Sequence, residues 1–347
     1  MKIGDFNIDK NSPVFIIAEL SANHNGSIQT AIETIRAAKR TGADCIKLQT
    51  YTADTITLDS DKDDFVIKGT IWDGKKLHTL YQEAYTPWEW HEELYRVAKE
   101  EGLICFSSPF DNTAVDLLES LNSPAYKIAS FEITDIPLIE YVASKMKPVI
   151  ISTGIAELED IELALDACHR MGNYDVALLK CTSSYPAPIE EANMCMVKDL
   201  AERYNVISGL SDHTMGSTAP VVATVFGAKI IEKHFIVDRA IGGPDASFSM
   251  NEEEFAQMVK AVREAEKAIG TVDYTLTEKQ AKGRDFSRSL YVAEDIKAGD
   301  VFTEINLRSV RPGFGLHPKY YYDILGKKAS EDITKGTPLR LDFLKEQ

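Results

Sequence analysis

Apolar runs of strand length alternate with amphipathic stretches of helical length along most of the chain. The first run is Val14–Glu19. A helix is predicted after it from about Ser27 to Arg40, with Ile28, Ile32, Ile35 and Ala38 on one face and Gly42 as its stop. Further runs stand at Cys45–Gln49, Leu103–Ser108, Ala125–Ser130, Pro148–Thr153, Val176–Cys181, Val206–Asp212 and Lys229–Phe235. Each is apolar within and turns polar at its C-terminal end, as buried parallel strands do. Helical patterns follow from Thr86 to about Glu101, over 113–121, from Pro137 to about Ser144, up to about Arg170, over Ala192–Tyr204, after Thr214, and from Asn251 to near Gly270. Thr86 and Pro87 read as an N-cap and a first helical residue. Asn251-Glu-Glu-Glu places acid in a first turn. Residues 1–12 read as a short strand-like lead-in. Residues 50–85 break the rhythm and read as a long loop over the strand ends.

Eight strand-like runs in strict alternation with eight helical segments predict a parallel sheet, and the count of eight predicts closure into a (β/α)8 TIM barrel. No GxGxxG follows a strand, so a dinucleotide fold has no support. From Tyr274 the character changes. The expected organisation is a catalytic barrel over 1–273, a polar linker over 274–285, and a small turn-rich domain over 286–347. Inside that domain Glu294-Asp-Ile-Lys-Ala-Gly-Asp and Glu331-Asp-Ile-Thr-Lys-Gly-Thr are near-duplicates on either side of Arg311-Pro-Gly-Phe-Gly.

Composition narrows the function. The chain of 347 residues carries a formal net charge of −16, which disfavours nucleic acid and anionic membranes as partners. No apolar run approaches membrane-span length, and the first residues lack a signal core. The five scattered cysteines indicate neither disulfides nor a thiolate metal site, and reduced cytoplasm is the expected compartment.

A barrel of this type carries its site at the C-terminal ends of the strands. Those ends bear Glu19, Lys47 and Gln49, Ser107 and Ser108, Lys127 and Ser130 with Glu132 beyond, Ser152 and Thr153, Thr182 to Tyr185, Ser211 and His213, then Glu232 and His234 with Asp245 beyond. Two adjacent strands ending in histidine suit a divalent transition metal, or else one imidazole caps a helix and the other packs in a core. Lys47 and Lys127, set in apolar runs with serines around them, make a cradle for a phosphate or carboxylate. A single lysine would pair with a carboxylate such as Glu19, and a Schiff-base lysine is a further reading. Glu19, Glu132 and Asp245 suit metal ligation, proton transfer or sugar binding, and Glu232 is an inward candidate for pairing with a lysine.

These residues resemble the sialic acid synthase family. The resemblance stands on Ile17-Ala-Glu-Leu-Ser-Ala-Asn-His, Lys47-Leu-Gln-Thr, Ser107-Ser-Pro-Phe, Tyr126-Lys-Ile-Ala-Ser, Cys181-Thr-Ser-Ser-Tyr-Pro, Gly209-Leu-Ser-Asp-His-Thr, Ile231-Glu-Lys-His-Phe, Gly243-Pro-Asp and Arg311-Pro-Gly, which span nearly the whole chain. The tail is similar to the antifreeze-like (SAF) domain of that family. Ala-Ser-Phe-Glu and Ser-Ser-Tyr-Pro-Ala-Pro resemble its pseudaminic acid branch. The resemblance implies condensation of phosphoenolpyruvate with an open-chain amino sugar, with release of phosphate. It implies that Lys47, Lys127, Ser108, Ser130, Ser152 and Ser211 hold the phosphoenolpyruvate. Ser183, Tyr185 and Asp245 would face the sugar, and Glu19 and Glu132 are the acid/base candidates. His213 and His234 would hold manganese, with magnesium or cobalt as alternatives. Arg311 would complete the site of a second copy in a domain-swapped homodimer. Phe131 and Ser183 depart from the N-acetylneuraminate pattern, so a diacetamido-trideoxy hexose is the expected sugar. N-acetylneuraminate or legionaminic acid synthesis, a Schiff-base aldolase and a non-catalytic sugar-binding protein are the alternatives.

Overall fold

A computed structural model describes residues 1–345. A short hairpin comes first, β1 (Lys2–Ile3) against β2 (Phe6–Asn7). Eight parallel strands then close into a barrel: β3 (Phe15–Glu19), β4 (Cys45–Thr50), β5 (Ile104–Pro109), β6 (Tyr126–Ile128), β7 (Val149–Ser152), β8 (Val176–Cys181), β9 (Ile207–Asp212) and β10 (Ile230–His234). Each strand pairs with its sequence neighbours, and β10 closes the ring on β3. The register sets Glu19 beside both Lys47 and His234, and Glu232 beside Ser211.

The side-chain alternation of the strands divides the core in two. Phe15, Ile17, Cys45, Phe106, Ile150, Leu179 and Ile230 point inward and fill the lower barrel, where Ile3 and Ile8 of the hairpin region join them. Ile16, Ile46, Leu48, Leu210 and Ile231 point outward onto the helices. The upper interior is the one layer given over to polar groups. Helix α1 (Ile28–Thr41) begins on a Ser27 cap and ends at Gly42, whose φ of 85° lies in the left-handed region that glycine tolerates. The helix over Glu252–Ile269 starts with a capping box between Asn251 and Glu254.

Residues 50–85 are more ordered than their pattern predicts. They contain helices at Ala53–Ile56 and Leu77–Ala84, and a narrow hairpin closed between Val66 and Lys76. The helix expected from Thr86 begins instead as a 3-10 turn at Trp88–Trp90 capped by Pro87, and continues as α-helix over His91–Glu100. Thr86 is buried and does not cap it. Strand β6 is only three residues long, because Ser130–Glu132 coils into a 3-10 turn.

The chain divides after Gly270 into two compact units. In the second, part of the stretch expected as a linker forms a helix at Glu278–Gly283. The near-duplicate segments of that unit pair with each other. Ile296 and Ile333 exchange backbone hydrogen bonds of 2.9 and 2.8 Å. Asp295 accepts from the Lys335 amide at 2.8 Å, and Asp332 accepts from the Ala298 amide at 2.9 Å, so each segment caps the turn of its twin. Leu290, Phe302, Leu307 and Phe343 form the core beneath them.

Candidate active site

The polar layer begins with four charged side chains that a barrel interior can hold only together. Lys47 meets Glu19 directly and lies 3.1 Å from Glu232 Oε1. Lys127 stands 3.8 Å from the same Glu232 oxygen and donates to the Ile128 carbonyl at 3.0 Å. Both readings of the lysines therefore meet here: each faces a carboxylate, and both converge on the same Glu232 oxygen. Ser211 donates to Glu232 at 3.0 Å, Lys47 to Ser108 at 3.4 Å, and the Gln49 amide to Glu19 at 2.8 Å. Burial pushes the Glu19 carboxyl up against the pull of Lys47. The Lys47 ammonium resists its own burial because Glu19 and Glu232 surround it. Of the two, the carboxyl is the group that can take a proton. Burial pulls Lys127 below the usual lysine range.

Hydroxyls line the neighbouring wall. Ser130 Oγ accepts from Ser183 at 2.8 Å and from the Ile155 amide at 3.1 Å, which leaves its own hydrogen uncommitted. Ser152 Oγ is buried with no partner. Gly154 makes this wall possible, since a Cβ there would fall 2.2 Å from Ser183 Oγ and 2.6 Å from Ser130 Oγ. Glu132 extends from the same turn with Oε2 buried and unpartnered, and burial pushes its carboxyl up to about 7.

The two histidines lie together, ring centroids 5.3 Å apart. His213 Nδ1–H donates to the Thr182 carbonyl at 2.9 Å, which leaves Nε2 as the nitrogen available to a ligand. His234 Nδ1 is buried with no hydrogen-bond partner, 3.8 Å from Asp245, and burial pulls this imidazole down toward its neutral form. Two imidazoles with a carboxylate alongside fit a divalent transition ion. Among the described residues no group of three or more His, Cys, Asp or Glu side chains gathers around one point, so part of any coordination shell falls to water or substrate. Tyr185 packs 4.4 Å from His213 and 5.2 Å from Phe248. Asp245 accepts from Ser21.

The sequence-predicted residues of the barrel thus converge on one mouth. Phe131 is the exception, with its ring 57% exposed. Arg311 lies in the second unit, at the end of the strand Leu307–Val310. Three polar features escaped the sequence reading. Trp72, in the hairpin above the strand ends, lies 6.1 Å from Tyr185. Lys180 is buried and donates to the Cys181 carbonyl at 2.6 Å and to Thr182 at 3.1 Å. Lys233 and Asp212 form a buried pair on the outer wall. The signal for both lysines was available, because each interrupts an apolar run as Lys47 and Lys127 do.

Known proteins match this arrangement. A model described as the NeuB family matches residues 34–274, and one described as the SAF domain matches 287–345. The chain is 51% identical over 340 residues to a pseudaminic acid synthase of Campylobacter jejuni, covering 98% of each. It is 49% identical over 331 residues to the pseudaminic acid synthase of Helicobacter pylori, covering 95% of this chain and 97% of the relative. Among solved structures, the spore coat polysaccharide biosynthesis protein SpsE of Bacillus subtilis superposes with a TM-score of 0.68 at 34% identity, covering 100% of this chain and 99% of the other. An N-acetylneuraminic acid synthetase of Leptospira borgpetersenii superposes with a TM-score of 0.73 at 29% identity, covering 82% and 94%. With its closed eight-stranded barrel and small second unit, the chain belongs to the NeuB family with a C-terminal SAF domain.

Proposed function

We propose that the protein is a pseudaminic acid synthase. It condenses phosphoenolpyruvate with the open-chain aldehyde of 2,4-diacetamido-2,4,6-trideoxy-L-altrose and releases phosphate by C–O cleavage. The observation that carries this reading is one set of strand ends that brings together two buried ammonium groups, uncommitted serine hydroxyls and a pair of imidazoles. The likeness to the Campylobacter and Helicobacter synthases supports the choice of sugar.

Lys47 and Lys127 hold the anionic groups of phosphoenolpyruvate, and Ser108, Ser130, Ser152 and Ser211 donate to its oxygens. Ser183, Tyr185 and Asp245 place the sugar so that its aldehyde carbon meets C3 of the enol. A divalent ion at His213 and His234, manganese first and magnesium or cobalt as alternatives, would supply Lewis-acid polarisation of that aldehyde. Attack leaves a cation at C2, which water traps. Glu132 Oε2 takes the proton of that water, and Glu19, with oxygens engaged by Lys47 and Gln49, holds the ammonium in place. The adduct then expels phosphate and leaves a 2-keto acid. Arg311 of a second copy completes the site in a domain-swapped homodimer. Reduced cytoplasm suits the enzyme, whose cysteines are all free.

The test is phosphate release from phosphoenolpyruvate across a panel of amino sugars, with and without chelator. The diacetamido-trideoxy sugar is the expected preference, lost on chelation and restored by manganese. Preference for N-acetylmannosamine overturns the assignment. The depressed Lys127 amine favours one second reading, a Schiff-base aldolase. Borohydride trapping of an adduct on Lys127 would establish it.

A further inference from the structure

Two charged side chains on the outer barrel wall have no part in this chemistry. Lys233 on β10 and Asp212 on β9 stand opposite each other in the parallel register. Both are buried, and the ammonium donates to the Asp212 carboxylate and to the Thr214 carbonyl. Asp212 Oδ1 also accepts from the Thr214 amide at 2.9 Å. The outward residues one step below, Leu210 and Ile231, are apolar and packed under the helices. Among the described residues, the other fully buried ammonium–carboxylate pairs all lie inside the barrel, on Lys47 and Lys127.

An ion pair in such surroundings loses hydration that its mutual attraction does little more than offset, so stability alone does not account for it. Its location does. Lys233 directly precedes His234, while Asp212 and Thr214 flank His213. Two hydrogen bonds from the Lys233 side chain tie β10 to the residues on both sides of His213, and the third, from the Thr214 amide to Asp212, braces the backbone across His213 itself, at the level where the two imidazoles stand 5.3 Å apart. We propose that the Asp212–Lys233 pair positions the metal site, fixing the separation of His213 and His234 at a value one ion can bridge. The inference rests on the metal reading given above.

The test is the Mn2+ affinity of the full chain without substrate, read from the electron paramagnetic resonance of free Mn2+. Lys233→Met combined with Asp212→Asn removes the ion pair, keeps an acceptor for the Thr214 amide and leaves no unpaired charge. It should fold as the parent by circular dichroism and bind Mn2+ roughly 10- to 100-fold more weakly, the loss typical when a partner that orients a ligand is removed. Lys233→Arg keeps charge and donors and should retain the parent affinity. Lys233→Gln, a shorter neutral donor, gives a second measurement of the same loss. A folded double or Gln variant that binds Mn2+ as tightly as the parent overturns the proposal. His213→Ala separates the two claims. If it loses Mn2+ while the paired variants do not, only the positioning role fails; if it too binds as the parent, the metal reading fails as well.

Discussion

Replacing Glu132 by glutamine should stabilise the barrel at alkaline pH and leave it nearly unchanged in acid. The carboxyl stands where β6 ends, with one oxygen buried and unpartnered, and burial pushes it from 4.5 up to about 7. Between those values the folded chain keeps a proton that the unfolded chain has released. Stability therefore falls as pH rises through that window, and the full cost is present only above pH 7. At about 1.4 kcal/mol per pH unit, the gap from 4.5 to 7 amounts to about 3 kcal/mol. Glutamine has the same shape and no charge to bury, so it escapes that cost. All three tryptophans, Trp72, Trp88 and Trp90, belong to the barrel unit, so their fluorescence during urea unfolding follows that unit alone. With chelator and without substrate, parent and Glu132→Gln should lie within about 1 kcal/mol of each other at pH 5 and about 3 kcal/mol apart at pH 8.5, the variant being the more stable. Equal gaps at both pH values, or a variant less stable at pH 8.5, would refute the reasoning. On the proposed role of Glu132 in proton transfer, the same variant should also lose turnover.

Other outcomes follow from the same contacts. Lys47→Ala leaves Glu19 and Glu232 buried without their shared ammonium and should cost about 3–5 kcal/mol in urea unfolding, whereas Lys47→Met with Glu19→Gln should cost less than the single change. Gly154→Ala drives a methyl into Ser130 and Ser183 and should cost about 1–3 kcal/mol. Calorimetric titration of that variant should also show weakened phosphoenolpyruvate binding, and unchanged affinity would remove Ser130 from the cradle. In the second unit, Asp295→Ala should speed hydrogen exchange at the Lys335 amide, and Asp332→Ala at the Ala298 amide, each losing a hydrogen bond of about 1 kcal/mol. A crossed result would contradict the reciprocal capping.

The barrel was legible because its strands are buried on both faces and so form continuous apolar runs with abrupt polar ends. That break singles out Ser211, His213 and His234 as candidates, and a charge inside an apolar run singles out Lys47. The long stretch over 50–85 was not legible, because its helices are short and are set by packing over the strand ends. Trp88 shows the same limit at a helix start, where a 3-10 turn displaces the cap that Thr86 and Pro87 suggest. The Asp212–Lys233 pair lay beyond a strand-by-strand reading, since its meaning depends on which two strands touch. The pairing of Ile296 with Ile333 was visible as a repeat but not as a contact.

The hairpin region beneath the barrel has a consequence for traffic. Ile3, Ile8 and Phe15 stopper the lower end, so among the described residues the barrel interior is closed on that side. Both reactants must arrive, and both products depart, by a single doorway. On the proposed assignment, phosphoenolpyruvate held against the two lysines could not leave while the sugar sits above it. Turnover should accordingly be ordered, with the small anion first to enter and the sugar acid obliged to clear the way before the next round.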